Sequence, residues 1–167
     1  LGDYSVLLSD YHIKAELTAT TRCGFQRYHF PREKDGRVMI DLKVPAEYDY
    51  EILDASLRQI DDYAIEGYSV QQTKNVWSKD ADQDYTLHFR IEFDKPIKRF
   101  GIWVNDRLYP EGSKRAAYPE RMGCYAEFDT GKDSVVQVRT GISYVDIEGA
   151  RKNLQKEIKD SLGWSFE

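Results

Sequence analysis

At 167 residues the chain is the size of one domain with a core of its own. It is 41% hydrophobic, 13% aromatic and 32% charged, an ordinary globular composition, and its net charge of −5 excludes the broad basic face that a nucleic-acid partner requires. No apolar run approaches the roughly 18 residues of a membrane span, and no secretory signal opens the chain.

Tyr4–Leu8 reads as a first strand. It follows Leu1-Gly2 so directly that a piece entered inside a sheet, truncated at its N-terminus, is expected. Ser9-Asp10 turns into a long strand over 12–22, where Ile13, Ala15, Leu17 and Ala19 alternate with Lys14, Glu16, Thr18 and Thr20. That period of two puts one apolar face on a sheet. Gly24 reads as a corner, Phe25–Phe30 resumes the run with aromatics, and Pro31 stops it, having no N–H for a central ladder. Asp35-Gly36 is a turn signal before Arg37–Lys43, with Val38, Ile40 and Leu42 on one face. Leu53–Ile60 and Tyr63–Gln72 read as a strand pair around Asp61-Asp62. The polar stretch from Gln72 to Asp84 reads as a long loop holding Trp77.

Tyr85–Asp94 has the cleanest alternation, with Tyr85, Leu87, Phe89, Ile91 and Phe93 inward and Thr86, His88, Arg90, Glu92 and Asp94 outward. Phe100–Val104 follows, and Tyr109–Met122, with two prolines and Gly112, reads as an irregular excursion. Cys124–Phe128 and Ser134–Ile142 form a hairpin across Thr130-Gly131-Lys132-Asp133. The period then changes: Ile147, Ala150, Leu154 and Ile158 fall at helical spacing, with Asp146 as N-cap. Many short strands without strand–helix–strand units predict an all-β fold, an antiparallel β-sandwich of about ten strands with one C-terminal helix.

Three separated stretches carry a resemblance. Residues 13–31, from Ile13 through Glu16-Leu17-Thr18-Ala19-Thr20 to Arg27-Tyr28-His29-Phe30-Pro31, are the first. Ile65-Glu66-Gly67-Tyr68 with Phe93-Asp94-Lys95-Pro96 is the second. Gly141-Ile142-Ser143-Tyr144-Val145, followed by Glu148, Ala150, Asn153, Leu154 and Glu157, is the third. In this order they resemble the N-terminal domain of glycoside hydrolase family 92, the calcium-dependent exo-α-mannosidases. The resemblance implies a β-sandwich of the supersandwich type over 1–145, and over 146–167 a helix and the start of a linker. A catalytic helical-barrel domain would follow. It implies an inverting hydrolysis of terminal α-linked mannose in the parent protein, mannose-containing glycans as substrates, and an exported, periplasmic or cell-surface location in a bacterium. The acid, the base and the calcium ligands of the family belong to the barrel, so no catalytic residue and no metal ligand falls on this chain, which alone is expected to be inactive.

The candidate substrate-binding residues are Trp77 and Tyr68. Sugars present apolar C–H faces that stack on aromatic rings, and loops on a rigid sandwich often carry binding function. Trp77 either faces sugar or packs against its own loop or the barrel. The alternative to the mannosidase reading is a stand-alone carbohydrate-binding or structural sandwich without catalysis. Arg22 and Arg27 are expected to tie loop carbonyls, the arginine fork being suited to joining segments. Glu16, Asp41 and Glu92 read as solubilising, and His88 as solvated. Cys23 and Cys124 read as two thiols or, in an exported protein, a disulfide. Trp164 and Phe166 read as exposed aromatics that meet another domain.

Overall fold

The computed structural model describes residues 2–32, 35–43, 50–73, 83–110, 112–118 and 120–166. Among the described residues there are twelve strands: β1 Asp3–Leu8, β2 Ile13–Ala19, β3 Cys23–His29, β4 Gly36–Asp41, β5 Tyr50–Asp61, β6 Ala64–Thr73, β7 Gln83–Phe93, β8 Arg99–Val104, β9 Arg107–Leu108, β10 Arg115–Tyr118, β11 Met122–Phe128 and β12 Val135–Ser143. An α-helix, α1, follows at Ile147–Leu154 and continues as a turn of π-helix over Gln155–Lys159.

The strands form two antiparallel sheets. The large one has eight strands in the order β1-β2-β3-β12-β7-β6-β5-β10, and the small one has four, β4-β11-β8-β9. The expected β-sandwich is therefore present, and the large sheet is covered on both faces. On its inner face Phe89, Ile91, Phe93, Val136 and Val138 meet Ile102, Met122, Cys124, Ala126 and Phe128 of the small sheet. Each fully buried side chain of this size contributes about 1.5–3 kcal/mol, so this layer holds the sheets together. On the outer face Leu154 and Ile158 close over Cys23 and Phe25 as a second, smaller core.

Helix and sheet come this close because of Gly141 in β12. A Cβ there would lie 2.5 Å from the Ala150 carbonyl oxygen and 2.7 Å from Leu154 Cβ. Asp146 caps the helix as expected, its carboxylate accepting the Gly149 N–H at 2.5 Å.

Several local expectations are corrected. The strand read over 12–22 begins after a turn in which His12 takes a left-handed backbone, φ 54°, and it ends at Ala19. Gly24 is no corner: it lies inside β3, opposite Ala19 and Thr140. The excursion 109–122 contains β10, whose Ala116 is buried opposite Leu57 at the sheet edge. The helix does not stay α to its end, for the Asp160 N–H reaches back to the Gln155 carbonyl.

Trp164 and Phe166 do not stand clear of the chain. Both pack edge-on against Phe25, with centroids 6.1 and 5.2 Å away. Arg139 and Arg27 stack on their faces, at 3.8 and 4.5 Å. Cys23 and Cys124 are both free thiols, buried in different cores.

Candidate functional site

The stretch Ile65-Glu66-Gly67-Tyr68 forms the middle of β6. Alternation turns Ile65 and Gly67 into the main core and Glu66 and Tyr68 onto the outer face. Gly67 leaves room for its neighbours: a Cβ would lie 2.1 Å from the Ser56 carbonyl oxygen and 2.6 Å from Phe89 Cζ.

The Tyr68 hydroxyl donates to Asp54 Oδ2 at 2.8 Å. This bond and burial push its phenol above the ordinary tyrosine range. The Tyr68 ring lies 5.8 Å from that of His88. His88 was read as solvated, but it is half-buried and its Nδ1 is enclosed with no hydrogen-bond partner among the described residues. The reason is the second layer: the outer face of the large sheet lies partly under α1, so a polar position of β7 is not thereby a wet one.

Beside Tyr68 an open cleft of about 470 Å³ is lined by Arg58, Glu66, Tyr109, Arg115 and Ile147. Arg58 and Arg115 stand directly opposite each other on β5 and β10. Glu66 has no exposed surface. It receives Arg90 Nη1 at 2.9 Å, Arg151 Nε and Nη2 at 2.5 and 2.8 Å, and Arg58 Nη2 at 3.4 Å. Burial pushes its carboxyl up, but the Arg151 and Arg90 hydrogen bonds outweigh it and hold it below the ordinary range.

The charged outer face is continuous. Arg90 bridges to Glu92 at 3.1 Å, and Glu92 pairs with Arg139 at 2.8 Å and Lys159 at 3.3 Å. Further along, Glu16 accepts from Lys14, Arg27 and His29 at 2.7–2.8 Å, and Glu157 pairs with Arg22 at 2.6 Å. Glu16 and Glu92, read as solubilising, are thus joints between strands and helix, and Arg22 and Arg27 tie carboxylates instead of the loop carbonyls expected. The sequence signal was there: Glu66, Arg90, Glu92 and Arg139 all fall on one face of adjacent strands. The register that makes them neighbours is not visible in one strand. Asp41, also read as solubilising, pairs with Arg121 at 2.7 Å.

Chemically the cleft offers guanidinium and phenol donors, which suit hydroxyl or carboxylate oxygens. An acid for glycoside cleavage needs a raised carboxyl, whereas Glu66 is held down by arginines. Among the described residues the carboxyl that burial raises, Asp94, lies just past the far end of β7 and accepts the Gln137 N–H at 2.9 Å. Calcium takes six or more oxygen ligands, often carboxylates. Among the described residues no group of three or more His, Cys, Asp or Glu could hold a metal ion. Trp77 lies outside the described residues. Tyr68 is on the cleft.

Comparison with known proteins agrees with this architecture. The model of the glycosyl hydrolase family 92 N-terminal domain matches residues 1–143. A family GH92 alpha-mannosidase from Bacteroides thetaiotaomicron superposes with a TM-score of 0.77 at 28% identity, over 96% of this chain and 21% of its own. A structure of the same mannosidase in complex with mannoimidazole gives the same TM-score over 95% and 20%. A family GH92 inverting mannosidase from Bacteroides thetaiotaomicron, 22% identical with a TM-score of 0.74 over 95% of this chain and 20% of its own, shares the fold. Comparison with curated protein sequences gives no match. The chain spans about a fifth of the length of these solved mannosidases. With the family model covering 143 of its residues, the chain belongs to the N-terminal domain family of glycoside hydrolase family 92.

Proposed function

We propose that the chain is the β-sandwich part of an α-mannosidase, 1–145 forming the sandwich and 146–167 the start of a linker to a helical-barrel domain. The parent reaction is calcium-dependent, inverting hydrolysis of terminal α-linked mannose from mannose-containing glycans, carried out by an exported, periplasmic or cell-surface bacterial protein. The sandwich caps the barrel, fixes its orientation and lends loops to the substrate site; alone it does not hydrolyse. The observation that carries this reading is the family match over 1–143 together with the 28% identity to a GH92 alpha-mannosidase.

Two residues are proposed to face substrate. Tyr68 holds its hydroxyl against Asp54 at 2.8 Å beside the open cleft, so its phenol is fixed in direction. Trp77 lies on the long polar stretch between β6 and β7, where an aromatic ring suits a sugar face. Neither moves a proton in the reaction; their contribution is orientation, which appears in KM more than in kcat.

The test is an aryl α-mannoside assay on the full protein, with and without a calcium chelator, beside residues 1–167 alone. Chelator-sensitive cleavage by the full protein and none by 1–167 is the expected result. A full protein inactive on every α-mannoside tried overturns the activity while leaving the fold. In an active protein, Tyr68→Phe and Trp77→Ala are expected to raise KM severalfold with kcat little changed.

A further inference from the structure

The outer face of the small sheet carries two aromatic rings laid on glycines. In the β8–β11 register Tyr125 stands directly opposite Gly101, and Trp103 directly opposite Gly123. A Cβ on Gly101 would lie 2.2 Å from Tyr125 Cε1, and one on Gly123 would lie 2.2 Å from Trp103 Cζ2. Each ring therefore leans across to the neighbouring strand and fills the place of its missing side chain. Paired Gly-x-Trp and Gly-x-Tyr segments make a flat aromatic surface, where two ordinary side chains would have made a ridge.

The two rings differ in what lies above them. The Arg37 guanidinium sits 4.7 Å from the Tyr125 centroid and pairs with Glu127 at 2.7 Å. No other ring or cation stacks on Trp103 among the described residues. Trp103 lines an open groove of about 530 Å³ with Met39, Asp41, Leu108 and Arg121. Met39 and Leu108 are 67% and 74% exposed, and Leu108 lies directly opposite Trp103 on β9. The rim is polar and of both signs. Arg121 Nη2 meets Asp41 Oδ2 at 2.7 Å, and Asn105 Nδ2 donates to Glu120 Oε2 at 2.6 Å. Asn105 itself holds a left-handed backbone, φ 53°, at the groove's lip.

This chemistry selects among occupants. A protein patch apolar enough to match Trp103, Met39 and Leu108 would strip water from Asp41, Arg121 and Asn105 without replacing it. The charged lining is Arg37, Arg107 and Arg121 with Asp41 and Asp106, so a polyanion and a polycation would each meet like charges. A sugar ring offers a C–H face for the indole and, around its edge, hydroxyls that both donate and accept.

We propose that this platform binds a neutral glycan chain at a place of its own, apart from hydrolysis, with Trp103 as the stacking ring and the Asp41–Arg121 pair as its hydroxyl partner. That the glycan is rich in mannose rests on the function proposed above. The platform would hold the protein on a polymer that it shortens from the end.

The experiment is affinity electrophoresis of the full protein through a gel containing α-mannan, repeated with saturating mannoimidazole to occupy the hydrolytic site. Retardation should persist with mannoimidazole and weaken about fivefold or more in Trp103→Ala and in Leu108→Asp. No retardation, retardation abolished by mannoimidazole, or retardation unchanged in both variants overturns the platform. Leu108 is exposed, so its variant decides the matter if thermal melting shows Trp103→Ala to be unfolded. Cleavage of an aryl α-mannoside is measured separately: retardation without cleavage removes the mannosidase reading and keeps the platform.

Discussion

Arg151 on the helix forks onto Glu66 in the middle of the large sheet, Nε to Oε1 at 2.5 Å and Nη2 to Oε2 at 2.8 Å. The helical segment is fixed to the sheet by two kinds of contact: Leu154 and Ile158 over Cys23 and Phe25, and ion pairs, this clasp together with Glu157–Arg22 and Lys159–Glu92. The apolar contact is non-directional, whereas the fork accepts one orientation. Glu66 thus sets the orientation of α1 on the sheet.

Glu66→Gln should be strongly destabilising. It keeps shape and removes the charge that Arg58, Arg90 and Arg151 share, leaving Arg90 nearly buried without full compensation. Removing one partner of a buried pair costs about 3 kcal/mol. Arg151→Ala should cost nearer 1 kcal/mol, because that side chain is 45% exposed and water replaces part of the contact. Urea unfolding followed by circular dichroism measures both, and a loss below about 1 kcal/mol for Glu66→Gln would sink the clasp.

Acid should destabilise the fold, and the direction follows from the carboxyls. Glu16 is held far below the ordinary range, first by the Arg27 hydrogen bond and then by Lys14 and His29. Glu157 is lowered first by the Thr20 hydroxyl and then by Arg22. In Glu66 and Glu92 burial raises the carboxyl, and arginine hydrogen bonds and charges overcome it. In all four the folded carboxyl titrates below the unfolded one, near 4.3. Their stabilisation is complete above the unfolded value and is lost as pH falls through the folded values. Asp94, raised by burial, works the other way and offsets a part. Stability should be flat above about pH 5 and fall steadily toward pH 2. A urea midpoint that rises on acidification from pH 5 to 3 contradicts the network.

How much of this was legible varies by contact type. The alternation in 13–19 and 85–93 placed both strands and their inner faces, because a period of two needs no partner to be seen. Asp146 and the helical spacing of Ile147, Ala150, Leu154 and Ile158 likewise sit within one stretch. What escaped notice depends on register. Glu66 meets Arg90 and Glu92 meets Arg139 only when three strands align, so Glu92 looked like a solubilising charge and the role of Glu66 went unnoticed. The alternation also shows that a face differs from the other without showing what covers it, which is why His88 was read as wet. Of the candidate site, Tyr68 came from a motif, while the Trp103–Gly123 and Tyr125–Gly101 pairs needed two strands side by side.

Two glycines of the sheets should respond very differently to alanine. At Gly67 the added methyl would meet the Ser56 carbonyl oxygen at 2.1 Å and Leu57 Cα at 3.0 Å. Both are backbone of the neighbouring strand and can withdraw only by opening the β5–β6 ladder, so Gly67→Ala should cost about 3 kcal/mol or more. At Gly24 the nearest atom is Gln26 Nε2 at 3.4 Å, the end of a flexible side chain. Gly24→Ala should stay within about 0.5 kcal/mol of the parent. Thermal melts of the two variants side by side test this, and equal losses would mean that packing at Gly67 is looser than described.

The two cysteines should stay unreactive while the fold holds, and should not join. Cys23 is buried under the helix, and burial, with Glu157 nearby, pushes its thiol up to about 11. Cys124 faces the core between the sheets, where burial alone pushes it higher still. The thiolate is the reacting form, so at neutral pH neither offers it. The large sheet lies between their two cores, which rules out a disulfide without unfolding. Titration with a thiol reagent should therefore find about zero fast-reacting groups in buffer and both Cys23 and Cys124 in denaturant. Rapid labelling of Cys23 alone in buffer would show instead that the helix opens from the sheet, and Glu66→Gln should then quicken it further.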